Sequence, residues 1–459
     1  MIEMSIPQLA RLFAQEGSVP DGLFCGVEID SRKDCAGKLF IAIEGENFDG
    51  HDFVVTAVDK GAVAVLVNRQ VDVPVPQIGV KDTRQALAQL ALSWRQQVNP
   101  RVIAITGSNG KTTVKEMLAR ILTHYHATLK TEGNLNNDIG VPLTLLRLNR
   151  DERFAVVEMG ANHRDEIRRL LAIAEPDIVY VNNARSAHVE GFGSLQGVIQ
   201  AKGEMYQYCP VHALAVFNDD EEAVDYWRSI CATDRRMSFS SRHYTDVSGS
   251  SERLEDGLLL RVKYQQQQAD CALSVYGEHN AQNALAAISL ALACDLSLDQ
   301  VVQGLQGFSG VKGRQQFISG INNSRLIDDT YNANPDSLAA AVKVLCSLQG
   351  RHWLALGDMA ELGERARDYH LQAAKDAHHA GVEAFFALGD MSCQATEVFG
   401  EQGHCFSGHD EMAHFIAERI HSDVVLLVKG SRSAGMEKVV EALSQQNHST
   451  TQPGVSHAV

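Results

Sequence analysis

RVIAITGSNGKTTVKEML, residues 101–118, decides the fold. Its first six residues are an apolar run of strand length. Val114, Met117, Leu118, Ile121, Leu122 and Tyr125 then recur at helical spacing. Between run and helix lies Gly107-Ser108-Asn109-Gly110-Lys111-Thr112-Thr113. Glycines there let successive backbone N–H groups turn toward one anion, and the helix N-terminus adds its dipole. Lys111 is placed to reach outer phosphates, and a threonine hydroxyl such as Thr112 to ligate Mg²⁺. Ile105 stands where the general phosphate-loop pattern has glycine. These seven residues are the candidate nucleotide site.

Outward from this loop, strand-like and helical text alternate. FAVVEMG (154–160), DIVYVNN (177–183) and ALAVFND (213–219) are further buried-strand candidates. Such alternation predicts an α/β fold with a mainly parallel sheet and helices on both faces. Residues 238–257 are polar and turn-rich, and LLLRVKY and ADCALSVYG form a hairpin with the QQQQ tract (265–268) at its tip. Upstream, KLFIAIEG (38–45), GAVAVLV (61–67) and PVPQIGV (74–80) are short strands, followed by a helix over Arg84–Gln97 that Asn99-Pro100 ends. Downstream of GFSGVKGR (307–314), SRLIDD, HWLALGD, EAFFALGD and VVLLVKG alternate with helices, the last running to about Ser444. Three α/β domains are expected: 1–84, 85–312 and 313–459, with 445–459 a polar, disordered tail.

Composition narrows the function. The chain has 459 residues, 45% apolar and 21% charged, which is the mix of a globular protein and excludes disorder throughout. A net charge of −16 repels polyanions, so no nucleic-acid partner is expected. Nine scattered cysteines without a CxxC are expected to be reduced thiols. No signal peptide or membrane-spanning run is evident, and a cytoplasmic location is expected.

Taken one by one, most other polar residues have plain readings. Glu158 ends a strand, where open α/β sheets place ligands and where a carboxylate near phosphates suits Mg²⁺. His188 follows the next strand at similar depth. Lys202 alone is a lysine on a solvated helix face, and Asn280 and Asn283 share one face of a helix start. Arg314 alone is a linker arginine and Asp329 a turn aspartate. His124, His126, His370, His378 and His379 need no ligand, and no Ser/His/Asp or Cys/His arrangement is evident.

TGSNGKTT after a strand resembles the nucleotide loop of the Mur ligase and folylpolyglutamate synthase superfamily, ATP-dependent amide-bond ligases. EGNLNNDIGVPLTLL (132–146), VVEMGA (156–161), NNARSAHVEGFGS (182–194), AKGEM (201–205), GEHNAQNALAA (277–287), GVKGR (310–314) and DDTYNANPDS (328–337) continue the likeness in the family's chain order, over residues 25 to 443. DDTYNANPDS, LGDMAELGE (356–364) and VKGSRSAGMEKVV (428–440) are most similar to the branch that adds D-Ala-D-Ala to UDP-MurNAc-tripeptide, and the DNPR signature of the diaminopimelate-adding branch is absent.

The resemblance implies a small N-terminal UDP-substrate domain, a central P-loop ATPase and a C-terminal Rossmann-like domain, acting as a monomer in peptidoglycan synthesis. It implies ATP, two Mg²⁺ and a carbamylated Lys202, with Lys111, Glu158, His188 and Lys202 catalytic and Thr112, Glu158, His188 and Lys202 around the metals. Asn280 and Asn283 would face adenine, and Arg314 and Asp329 the γ-phosphate and ribose. Ser31, Arg32 and His51, in two loops, would meet the uridine diphosphate. One of Asn134–Asn137, with Asn137 the candidate, would approach substrate or γ-phosphate, and Lys429, Ser431 and Arg432 the dipeptide carboxylate. A sister ligase of the superfamily, or a nucleotide-gated binding protein, stays open as an alternative.

Overall fold

Residues 1–15, 20–45, 47–185 and 189–445 are described by the computed structural model. The 445–459 tail beyond Gln445, and with it the expectation of disorder, lies outside them, as does His188.

The first sheet carries four parallel strands in the order Val27–Glu28, Leu39–Ile41, Ala64–Val67, Gln77–Gly79. Their alternation separates two cores. Phe40, Val65 and Val67 pack on Val54 and Ala57. Leu39, Ile41, Leu66 and Ile78 share the opposite core with Leu87, Leu90 and Trp94 of the helix Thr83–Val98. That helix begins where the Asp82 carboxylate accepts the Arg84 and Gln85 N–H groups, and ends at Asn99 in the left-handed region (φ 54°). The short N-terminal strand Glu3–Ser5 pairs antiparallel with Leu23–Cys25, and the Ile2 N–H donates to the Leu146 carbonyl (2.7 Å), tying this unit to the next.

The central sheet has nine strands among the described residues. From one edge they run Thr128–Lys130, Phe154–Glu158, Arg101–Thr106, Ile178–Val181, Leu214–Asn218, Arg236–Ser240, Val247–Leu254, Gly257–Tyr264 and Gln267–Leu273. Only the last two pairings are antiparallel. Both faces are covered, as a parallel sheet requires. Ile103 and Ile105 face the helices Lys111–Thr123 and Glu278–Ala293, while Val102 and Ala104 face the core shared with Leu145 and Leu171. The polar stretch 238–257 corrects the expectation of turns, since it supplies most of two strands. Ser251–Leu254 lies exposed near the sheet's edge, where no apolar alternation is demanded. The QQQQ hairpin is present, but its turn is Gln265-Gln266, and Gln267 and Gln268 pair with Tyr264 and Lys263.

A third sheet of six strands runs Gln316–Ser319, Arg325–Asp329, Val424–Lys429, Arg351–Gly357, Ala384–Leu388, Gly403–Phe406, parallel after the first pair. The expectation of nine reduced thiols is corrected here, for Cys393 and Cys405 form a disulfide. They stand 12 residues apart in sequence, yet a helix and the next parallel strand fold them side by side. The other seven cysteines are free.

Strand order places the site. The chain leaves Arg101–Thr106, builds two strands on one side of it, then crosses to Ile178–Val181 on the other. Ligands in open α/β sheets bind at the carboxyl ends of the strands around such a reversal. The Gly107–Thr113 loop sits there.

Candidate active site

The nucleotide loop is held in shape by its own protein neighbours. The Asn183 Oδ1 accepts the Asn109 N–H (2.9 Å), and the Asn183 carbonyl accepts the Ser108 N–H (3.0 Å). Side-chain amides of Asn182 and Asn183 both donate to the Asn109 carbonyl (2.7 and 3.1 Å). The Ser108 hydroxyl is clipped between the Arg185 N–H and carbonyl, and the Arg185 guanidinium grips the buried Glu221 carboxylate at both oxygens (2.7 and 2.5 Å). Gly110 has φ 77°, and a Cβ there would fall 2.4 Å from Asn182 Nδ2 and 2.5 Å from Asn283 Oδ1. Only glycine fits. This clamp of Asn182, Asn183 and Arg185 was not given a role from the sequence. The motif NNAR was visible, but hydrogen bonding across two strand ends is not.

Lys111 folds back over the loop, its Nζ donating to the carbonyls of Gly107 (2.6 Å) and Ser108 (3.2 Å). Burial pulls its pKa down, and the Glu158 carboxylate works against that fall. Glu158 is 3% exposed. Its Oε2 accepts the Thr112 hydroxyl (2.8 Å), its Oε1 the Asn136 side-chain amide (2.9 Å), and its N–H donates to Thr131 Oγ1 (3.0 Å). Of the asparagines at 134–137 it is therefore Asn136 that reaches the carboxylate. Asn137 lines the same cavity but spends its Oδ1 on the N–H of Gly140 (2.8 Å), the first residue of the helix that follows.

Lys202 lies 1% exposed at the cavity's base, with Nζ donating to the Ala161 carbonyl (3.1 Å) and 5.4 Å from the Phe192 ring centre. The plain reading of a solvated lysine is wrong. Burial, reinforced by the nearby Lys111 charge, brings its pKa down to about 7.

One cavity of about 580 Å³ collects these residues and those of the third unit. Asn283 accepts from Asn182 (3.1 Å) and donates to Asn280 (3.3 Å), which donates to the Tyr276 carbonyl (3.0 Å). Arg314 stacks 4.0 Å over the Tyr331 ring. Asp329 accepts from Lys429 Nζ (2.6 Å), both buried, and burial raises the Asp329 pKa against the pull of Lys429. Lys429 also donates to the Asn332 carbonyl (2.9 Å) and lines the cavity beside Asp329. The Ser431 hydroxyl is committed to the Asp358 carbonyl (2.6 Å) and Arg432 lines the rim. Asn334 bridges the two walls, its Nδ2 donating to Asn109 Oδ1 (2.9 Å) while its Oδ1 accepts the Ser337 N–H (2.9 Å).

Ser31, Arg32 and His51 stand apart from this cavity, Ser31 and Arg32 on a turn of the first unit and His51 in its short 3-10 helix Gly50–Phe53. His51 accepts the Asn68 N–H at Nε2 (3.1 Å), so Nδ1 carries the proton that meets Asp49 (2.6 Å). Arg32 is paired with Asp30 (2.8 Å). Ser31 is buried.

Among the described residues no group of three or more His, Cys, Asp or Glu side chains is placed to hold a metal. The Thr112 hydroxyl beside the Glu158 carboxylate does fit Mg²⁺, which takes oxygen donors, keeps several waters and relies on one or two carboxylates plus substrate phosphates. No helix among the described residues is long and apolar enough to cross a membrane.

Three family models match in chain order: "Mur ligase family, catalytic domain" at 24–95, "Mur ligase middle domain" at 105–291 and "Mur ligase, glutamate ligase domain" at 313–432. The UDP-N-acetylmuramoyl-tripeptide–D-alanyl-D-alanine ligase of Escherichia coli is 41% identical over 97% of this chain and 99% of its own, and that of Bacillus subtilis 32% over 91% and 93%. A crystal structure of MurF from Acinetobacter baumannii superposes with a TM-score of 0.88 at 34% identity, covering 96% of this chain and 98% of that one. The MurF ligase of Thermotoga maritima, solved with ADP, gives 0.82 at 25% identity, covering 93% and 98%. Matched along nearly its whole length and in all three units, this chain belongs to the Mur ligase family.

Proposed function

We propose that this protein is an ATP-dependent ligase that joins D-alanyl-D-alanine to UDP-N-acetylmuramoyl-tripeptide, giving the UDP-linked pentapeptide precursor of peptidoglycan. The observation that carries this reading is one cavity in which Lys111, the Thr112–Glu158 pair and Lys202 face Arg314 and Asp329 of the third unit. Its cations meet the charge problem of the reaction. A tripeptide carboxylate oxygen attacks the γ-phosphorus of ATP and ADP departs, leaving an acyl phosphate. The dipeptide amine then attacks the acyl carbon, phosphate leaves, and the amine nitrogen sheds a proton. Two anions meet in the first step, so Lys111 and Arg314 lower the barrier by neutralising oxygens that crowd together. Closure of the third unit over the loop excludes water, which would otherwise hydrolyse the acyl phosphate.

Thr112 and Glu158 would hold Mg²⁺, which when bound neutralises phosphate charge; His188 and Lys202 are the candidates for a second ion. Lys202 is suited to carbamylation because only a neutral amine adds to CO₂, and its pKa of about 7 leaves much of it neutral. The amine nitrogen bonds the CO₂ carbon, a proton leaves, and the product is a carboxylate. Asn280 and Asn283 are assigned to the adenine, Asp329 to the ribose, and Asn137 with Asn136 to the γ-phosphate side. Ser31, Arg32 and His51 are assigned to the uridine diphosphate, and Lys429, Ser431 and Arg432 to the dipeptide end. We place the domain limits at 84 and 312, the working unit as a monomer, and its location in the cytoplasm. Phosphate release with ATP, Mg²⁺ and UDP-MurNAc-tripeptide, with and without D-Ala-D-Ala, tests the assignment. The expected result is release dependent on both substrates and a product heavier by the dipeptide less water. Release that ignores both substrates would instead mark a nucleotide-gated binder.

A further inference from the structure

Lys115 lies one helical turn beyond Lys111, on the same face of the helix that follows the loop. It is 1% exposed. A buried ammonium is retained only where it is paired and hydrogen-bonded. Its Nζ donates to the Thr131 carbonyl (2.7 Å), pairs with Glu116 Oε1 (3.1 Å) and lies 4.0 Å from Glu158 Oε2. The other Glu116 oxygen is taken by Lys130. Thr131 in turn serves Glu158, whose N–H donates to the Thr131 hydroxyl (3.0 Å). Lys115 thus grips Glu158 twice, by charge on its carboxylate and through the Thr131 residue that holds its backbone.

We infer that Lys115 is a positioning residue for the metal-facing carboxylate. It keeps Glu158 in register with the Thr112 hydroxyl and supplies the counter-charge that a 3%-exposed carboxylate needs before Mg²⁺-nucleotide arrives. The inference rests on the reading of Thr112 and Glu158 as the Mg²⁺-facing pair. The plain alternative is a core lysine placed for Glu116 alone.

Equilibrium binding of a fluorescent ADP, with Mg²⁺ and with EDTA, separates the two without turnover. In Lys115→Met the affinity in EDTA stays as in the parent protein, and the gain on adding Mg²⁺ shrinks about tenfold or more, the usual scale for losing a group behind a metal ligand. Glu116→Gln keeps the gain. Thr131→Val, which removes the hydroxyl but leaves the carbonyl, loses part of it, and carries the test alone should Lys115→Met fail to fold by circular dichroism. An unchanged Mg²⁺ gain in Lys115→Met, or in Thr131→Val where that variant carries the test, overturns the inference, as does an equal loss in Glu116→Gln. Glu158→Gln is the control for the reading beneath it. If that variant also keeps the gain, the metal-facing pair itself is wrong; if it loses the gain while Lys115→Met does not, only the role of Lys115 falls.

Discussion

Lys202 sits inside a helix, Leu195–Gln207, and residue type and helical spacing alone do not distinguish it from a solvated lysine. Burial makes the difference, and burial is a property of the neighbours. The same holds for Lys115, which sequence reasoning passed over, and for Asp329, whose partner Lys429 is 100 residues away. Where backbone geometry alone sets the position, the sequence was legible. The loop glycines, Thr112 and Glu158 occupy the places their spacing implied, because a strand end and a helix start leave few alternatives. Activity of Lys202→Ala is expected to be partly restored by added short carboxylates such as formate or acetate, which would take the place of the proposed carbamate. No restoration in a folded variant would remove the carbamate role. In the first unit, burial alone would raise the Asp49 carboxyl, but the His51 N–H and ring and the Arg69 guanidinium hold it at about 2. Its folded pKa lies below the unfolded value of 3.8, so its contribution is present above pH ~4 and lost as pH falls toward ~2. Asp49→Asn is expected to lower stability at pH 6 and to converge with the parent protein near pH 2 in acid-denaturation curves.

Helices and strands were foreseen best where both faces of the sheet are buried. RVIAIT, FAVVEMG and VVLLVKG are strands within a residue or two of their expected bounds, since a strand covered on both sides must be continuously apolar. The strand Val247–Leu254 was missed because it is exposed from Ser250 onward and so carries no apolar run. At this scale Asn334 joins two tasks. Its Oδ1 caps the helix Pro335–Ser347, and its Nδ2 reaches Asn109 in the nucleotide loop. Asn334→Asp keeps a capping oxygen and loses the donor, whereas Asn334→Ala loses both. The aspartate variant is expected to melt like the parent protein while kcat/KM for ATP falls about fivefold, the value of one hydrogen bond of about 1 kcal/mol. The alanine variant is expected to show the same kinetic loss plus about 1 kcal/mol of lost stability. Equal melting of all three would show that the cap contributes nothing.

The whole molecule carries −16 charge, yet its cavity sets six Lys and Arg side chains, Lys111, Lys202 and Arg314 among them, against five Asp and Glu. The outer field opposes nucleotide approach, and the inner cations act only at short range. Association of a fluorescent ATP analogue, followed by stopped flow, is therefore expected to speed up as salt rises from ~0.01 to ~0.1 M, where the Debye length shrinks from about 30 to about 10 Å. A rate that falls would mean the cavity's cations dominate at encounter distance. Domain order was legible because turn-rich text at 99–100 and 307–314 separates three alternating patterns. How the units meet was not, since Asn109 and Asn334 are 225 residues apart.

The cavity's walls come from two units that the chain joins through Gly310 and Gly313, both in the left-handed region. A swing at this joint would open and shut the cavity to arrivals and departures alike. Were each turnover to need one such opening, the tempo of the enzyme would be bounded by the joint, however fast the bonds are made.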